Sequence, residues 1–200
     1  MKKSLIRTSF LLLALLIGAS TSWAQKLPAT AQLADKKEYA GIELYLNVER
    51  AASEDDPAAV VSLWLLNTNS GRAVRVLTTN PMAQGRWSEM SGHKSVNTPL
   101  TQIAAAEKAL FVADETNLVL LEGCPDARNV WSYLVDLKTR TAKQLPTNSG
   151  LICFIDEGPF ILMNNYRYDY EGETGRYNVI QAFRPDGSFV GELPLGPVEE

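Results

Sequence analysis

From Tyr39 onward the chain alternates apolar and polar residues with a period of two. Ile42, Leu44, Leu46 and Val48 alternate with Glu43, Tyr45 and Asn47, which predicts a half-buried strand. Ser53–Pro57 interrupts it with charge and turn formers, so a loop is expected there. Val60–Leu66 is a continuous apolar run, Asn67–Gly71 turns the chain, and Arg72–Thr78 puts Ala73 and Arg75 on one face and Val74 and Val76 on the other. Two such runs about a glycine-containing turn predict a hairpin. Pro81–Pro99 is irregular and reads as a surface connection. Short strands then recur over Leu110–Ala113, Leu118–Leu121, Val130–Val135, Leu151–Ile155, Phe160–Asn164, Tyr177–Phe183 and Phe189–Leu193. Arg184-Pro-Asp-Gly187 joins the last two, with proline presetting one dihedral and Asp-Gly tolerating the rest. Residues 100–110 admit two readings. Thr98 and Pro99 suit the start of a helix through Ala104–Lys108, whereas Gln102–Ala105 and Ala109–Ala113 suit a hairpin turning at Glu107–Lys108. The hairpin is preferred because plain strands follow.

Three segments share one phrase: an apolar strand, a polar turn and a short strand ending in leucine. They are Leu63–Leu77, Tyr133–Leu145 and Gln181–Leu193, and the two later copies close on Leu145-Pro146 and Leu193-Pro194, 48 residues apart. Leu77 and Leu145 are 68 apart, the excess matching the irregular Pro81–Pro99 insert. A period in the forties with four short strands per unit predicts propeller-type blades. Ala109-Leu-Phe-Val-Ala-Asp, Asn117-Leu-Val-Leu-Leu, Trp131-Ser-Tyr-Leu-Val-Asp and Gln144-Leu-Pro together resemble one blade of an exported TolB- or YncE-like β-propeller. Gly150–Gly196 resembles a second blade and Ile42–Thr78 a partial one. The resemblance implies an all-β chain of about three antiparallel, four-stranded units, an incomplete propeller or propeller-like stack, and it carries no catalytic residue over. Since a closed propeller takes at least four blades, the units form an open stack, two chains complete one ring, or the pattern belongs to a β-sandwich.

The N-terminus differs in kind. Lys2, Lys3 and Arg7 precede the apolar Phe10–Ile17 stretch, and Ser22-Trp-Ala24 supplies a small-residue end. This is the order of parts in a secretory signal peptide, and the stretch is too short to span a bilayer. The expected organisation is therefore a signal over 1–24, a flexible leader over 25–38 and one β-domain over 39–200, exported to the periplasm or the medium. Removing the signal takes 3 of the 19 basic residues, so 16 remain against 23 acids, a net charge of −7. An acidic chain lacks the footprint for nucleic acid. Export also permits Cys124 and Cys153, the two cysteines, to pair. Closing that loop of about 30 residues would contribute roughly 3–4 kcal/mol in the chain-entropy view. Pairing is expected over the alternative of two buried thiols.

Candidate chemistry is sparse. His93 lies in Ser91-Gly-His-Lys-Ser95, a loop without the buried, oriented imidazole that a catalytic triad needs. One histidine and two separated cysteines do not complete a tetrahedral metal site, and no cofactor is implied. Asp114, Glu115, Asp156 and Glu157 supply carboxylates of the type used in glycoside hydrolysis, all beside turn residues. The densest cluster is Tyr166-Arg-Tyr-Asp-Tyr-Glu-Gly-Glu, where Tyr166, Tyr168 and Tyr170 share one face of a strand and Arg167, Asp169 and Glu171 the other. Aromatics beside acids stack on sugars or anchor protein partners. The acid spacing does not complete a calcium loop. The expected function is an exported, non-enzymatic binding or scaffolding domain with its site at Tyr166, Tyr168, Asp169 and Tyr170, contacting a protein, a glycan or a second copy. The alternative is an exported hydrolase with carboxylates at the blade mouths.

Overall fold

A computed structural model describes residues 25–54, 59–83, 94–126, 129–147, 150–168 and 176–197. The first sheet runs in chain order through β1 (Gln32–Lys37), β2 (Ile42–Arg50), β3 (Val60–Asn67) and β4 (Arg72–Thr78). The second holds β6 (Lys108–Phe111), β7 (Leu118–Asp126), β8 (Asn129–Asp136) and β9 (Thr141–Leu145), with β5 (Val96–Thr98) added beyond β9. The third holds β10 (Leu151–Ile155), β11 (Phe160–Tyr168), β12 (Arg176–Phe183) and β13 (Phe189–Pro197). Every strand pairing is antiparallel. The shared phrase is the third and fourth strands of each sheet: β3–β4, β8–β9 and β12–β13. The longer first interval contains β5, an extra strand within the irregular insert.

The sheets stack face to face, and the period of two decides which core each side chain enters. Leu44, Val61, Leu63 and Leu65 of the first sheet meet Val119, Leu121, Tyr133 and Val135 of the second. The other face of the second sheet gives Leu118, Leu120, Leu134 and Leu145 to a separate core with Ile161, Met163 and Phe183 of the third. Being buried on both sides, the middle sheet reads as continuous apolar runs rather than as alternation. Three stacked sheets are blades of a propeller-type array and exclude the two-sheet sandwich. Among the described residues they do not close, because the outer faces of the first and third sheets have no sheet against them.

Two expectations are corrected. Gln25–Lys37 is not a loose leader: Gln32–Lys37 is the first strand of the first blade, and Gln25 forms an isolated bridge with Ala73 on β4. Its small polar composition hides this role because β1 is an edge strand, mostly exposed. Between Leu100 and Phe111, neither the full helix nor the full hairpin forms. Leu100–Gln102 makes one 3₁₀ turn, Ile103–Ala106 continues as a buried segment without strand pairing, and only β6 matches the expected second arm. Ala104 N–H donates to the buried Tyr133 hydroxyl at 3.3 Å. A Cβ at Gly123 would lie 2.8 Å from the Ala105 carbonyl carbon, so glycine there lets the segment lie against β7.

β1 and β6, the facing edges of the first two blades, are held by charge. Phe111 N–H donates to Asp35 Oδ2 at 2.7 Å. Lys37 is 3% exposed; its ammonium donates to the Asp114 carbonyl at 2.9 Å and to that of Thr116, and lies 4.8 Å from the Phe111 ring centroid. Burial lowers its pKa to about 8, against the opposing pull of Asp114, Glu115 and Asp35.

Candidate functional site

The two ends of the stack differ. On the first sheet, Ile42, Leu44 and Leu46 enter the core, so Glu43, Tyr45 and Asn47 face outward. This end is polar and internally satisfied. Tyr45 donates to Glu43 Oε2 at 2.7 Å, which raises the tyrosine pKa. Trp64 Nε1 donates to Ser62 Oγ at 2.8 Å, and Arg75 pairs with Glu49 at 3.5 Å. The segment before β1 passes over this side, anchored by Gln25 at β4 and by the Thr30 hydroxyl on Asn47 Oδ1 at 2.7 Å.

On the third sheet, Ile161, Met163 and Phe183 enter the core, and strand register turns their neighbours outward. Three cross-strand rows result: Cys153–Leu162–Ala182–Gly191, Asn164–Ile180–Leu193 and Tyr166–Asn178–Gly196. None of these ten positions carries a charge. Leu193 is 60% exposed, and a Cβ added at Gly191 or Gly196 would meet open space. Ile155, Val190 and Leu195 add further exposed apolar area on the same sheet. Exposed leucines scattered singly are ordinary, and it is their contiguity on one sheet face that sets these apart.

Tyr166, the first residue of the aromatic cluster, belongs to this face. It is half-buried, with the Arg176 guanidinium 4.1 Å from its ring centroid, a cation–π arrangement at the rim. Tyr168 pairs with Arg176 in the register, so it takes a position of the same parity as Tyr166. Asp169 and Tyr170 lie outside the described residues, as does His93. The aliphatic centre of the face was not among the residues the sequence singled out. The alternation Leu162/Asn164 and Ile180/Ala182 is visible in sequence, but which face is covered is decided by the neighbouring sheet.

The expected disulfide is not formed. Cys124, on β7 of the second sheet, and Cys153, on β10 of the third, are both exposed thiols that are not bonded to each other. The register accounts for it: Cys153 pairs with Leu162 on the outer face, away from the second sheet. An even count and export favoured pairing, but neither specifies a facing direction.

The carboxylates weighed for hydrolysis are not brought together. Asp114 and Glu115 occupy the β6–β7 turn beside Lys37, and Asp156 and Glu157 the β10–β11 turn of another sheet. A cavity of about 990 Å³ between the first two sheets is lined by Leu33, Leu46, Val48 and Leu110, with Glu107 and Lys108. A second, of about 650 Å³, contains Asp136 and Asp186. Asp136 Oδ1 accepts from Lys138 N–H at 2.7 Å, and Asp186 Oδ1 from Ser188 N–H at 2.8 Å; the hydrogen bond from the Ser188 side chain, then that from its backbone, lowers the Asp186 pKa. Both acids therefore serve their own turns. Among the described carboxylates Glu122, on β7 facing the third sheet, has a raised pKa, because burial disfavours its charge. Its Oε1 and the hydroxyl of Ser132, its cross-strand neighbour, are buried without hydrogen-bond partners. No group of three or more metal-ligating side chains occurs among the described residues. Nor is any helix among them long and apolar enough to cross a membrane.

The strand order and stacking define a propeller-type array of three blades. No protein-family model matches the chain, and no curated protein does. Among solved structures, the chain is similar to the β-propeller domain of the Trilobed protease from Pyrococcus furiosus. The identity is 12% and the TM-score 0.48, over 86% of this chain and 43% of that one. It is also similar to an acylaminoacyl peptidase from Pyrococcus horikoshii, at 10% identity and a TM-score of 0.49, over 84% of this chain and 25% of that one. The chain thus spans less than half the length of either.

Proposed function

We propose that this protein is an exported, non-enzymatic binding or scaffolding domain whose contact surface is the outer face of the third sheet. The carrying observation is that face itself: ten uncharged positions in three cross-strand rows, with Leu193 60% exposed and Tyr166 at one end. An aliphatic centre flanked by an Arg-stacked tyrosine is the composition of interface cores, where aromatic residues and arginine are enriched and other charges are few. Export is supported by the order of parts in residues 1–24. The protein is expected outside the cytoplasm, starting at or near Gln25; purified exported protein still carrying Lys2 and Lys3 would refute it.

The binding surface is tested by placing a photoreactive benzoylphenylalanine at Leu193 and, as a control, at Tyr39, which is 89% exposed at the far end of the stack. Irradiation of cells should give a covalent adduct from position 193 and none from 39. Equal adducts from both, or none from 193, would remove the reading.

A further inference from the structure

We infer that the occupant of the third-sheet face is the same face of a second copy, giving a two-fold symmetric dimer that joins two three-blade stacks end to end. The inference rests on the binding reading above and names its partner.

Polarity selects the partner. A self-complementary contact puts one patch against its own copy about a two-fold axis, and a face whose centre is uncharged, with Arg176 confined to its Tyr166 end, meets another such face without desolvating an ion at the centre. The competing arrangement is head to tail, third sheet against first sheet, which would complete a six-blade ring. That arrangement sets the uncharged rows against Glu43, Glu49 and Arg75, and those charges would lose water without gaining partners. It also requires the segment anchored at Gln25 and Thr30 to leave its place. The first sheet is thus crossed by a segment of its own chain, whereas no described segment is anchored on the outer face of the third.

The size is adequate. Four strands about 4.8 Å apart with a rise of about 3.3 Å per residue give a flat footprint on the order of 400–500 Å². Projecting side chains at the sheet margin, Ile155, Val190 and Leu195 among them, bring the accessible area toward the roughly 800 Å² per partner of a standard interface. Arg176, stacked on Tyr166, stays at the rim, where its charge remains hydrated.

The test is sedimentation equilibrium of the exported chain from about 1 to 100 μM, concentrations that bracket moderate self-association. The chain should sediment at twice its own mass. Leu193→Glu should weaken self-association by at least about 100-fold, since it buries an unpaired charge at the interface. Asn164→Lys, at an exposed position in the same row, should do the same and serves if the first variant folds poorly. Tyr45→Glu, on the first sheet, should leave the dimer intact. A monomer throughout the range, or a dimer indifferent to both third-sheet variants, overturns the inference; so does a dimer lost in Tyr45→Glu, which would indicate the head-to-tail ring. A monomer that still gives an adduct to another protein from position 193 would refute the second copy and keep the binding surface. No adduct at all would refute both.

Discussion

Lys37 couples stability to pH in a direction opposite to that of most surface lysines. In the folded chain its pKa is about 8 against an ordinary 10.5, because burial disfavours the ammonium. Between those values the unfolded chain holds more protons, so stability rises with pH, by at most on the order of 3 kcal/mol for a fully expressed shift. Tyr133 limits the rise: burial pushes its pKa up to about 12 from 10.0, so above about pH 10 the unfolded chain loses its proton first and stability falls. Urea unfolding should therefore show stability increasing from pH 8 to 10 and then declining. Lys37→Met should abolish the increase; an unchanged profile in that variant would contradict the assignment. Glu122 has the reverse sign. Its folded pKa is raised by burial above the ordinary 4.5, so stability is lost as pH climbs from 4.5 through the folded value. Glu122→Gln should raise the melting temperature at pH 7.5 and have little effect near pH 4, and equal effects at both would show the charge to be irrelevant. Neither residue stands out in the sequence: Lys37 sits in a charged run, and Glu122 ends an apolar strand. What singles them out is burial by segments 77 and 28 residues away (Asp114 and Gly150).

At the level of elements, much was legible. β4 occupies the span its alternation predicts, and the repeated phrase maps onto the last two strands of every blade. Those hairpins are local, with turn chemistry written in adjacent residues: Gly187 has φ 76°, and its N–H donates to the Arg184 carbonyl at 2.8 Å. The first strands are read unevenly: β10 occupies the expected Leu151–Ile155, whereas β1 takes its environment from the neighbouring blade. β1 carries an exposed, polar pattern and is fixed by Asp35 and Lys37 reaching β6 and the turn beyond it. Likewise Ile103–Ala106 has helix-favouring alanines but is buried against β7 at Gly123. Gly123→Ala should accordingly cost about 1–3 kcal/mol by overpacking against the Ala105 backbone. Gly71→Ala is the informative comparison: a Cβ there meets open space, and its cost is that of φ 68° alone. If chemical denaturation gives Gly123→Ala no loss, the close packing of the segment on β7 is wrong.

For the whole molecule, the account is of a stack whose first-sheet end is crossed by its own chain and whose third-sheet end, among the described residues, is not. Blade identity was legible from period and turn spacing. Which outer face stays open was not, since Gln25 and Thr30 cover the first sheet through contacts that leave no pattern in sequence. The same limit explains the cysteines: their count and compartment are sequence properties, but the outward direction of Cys153 is set by pairing with Leu162. That direction provides the most direct measurement of the central claim. Cys153 lies on the open face and Cys124 on another sheet, both exposed as thiols. Alkylation rates of the two, read by mass spectrometry of the exported chain at low and high protein concentration, should diverge. The account predicts that Cys153 slows as concentration rises while Cys124 reacts at a constant rate. Equal rates at every concentration, or two thiols already joined in a disulfide, would contradict it.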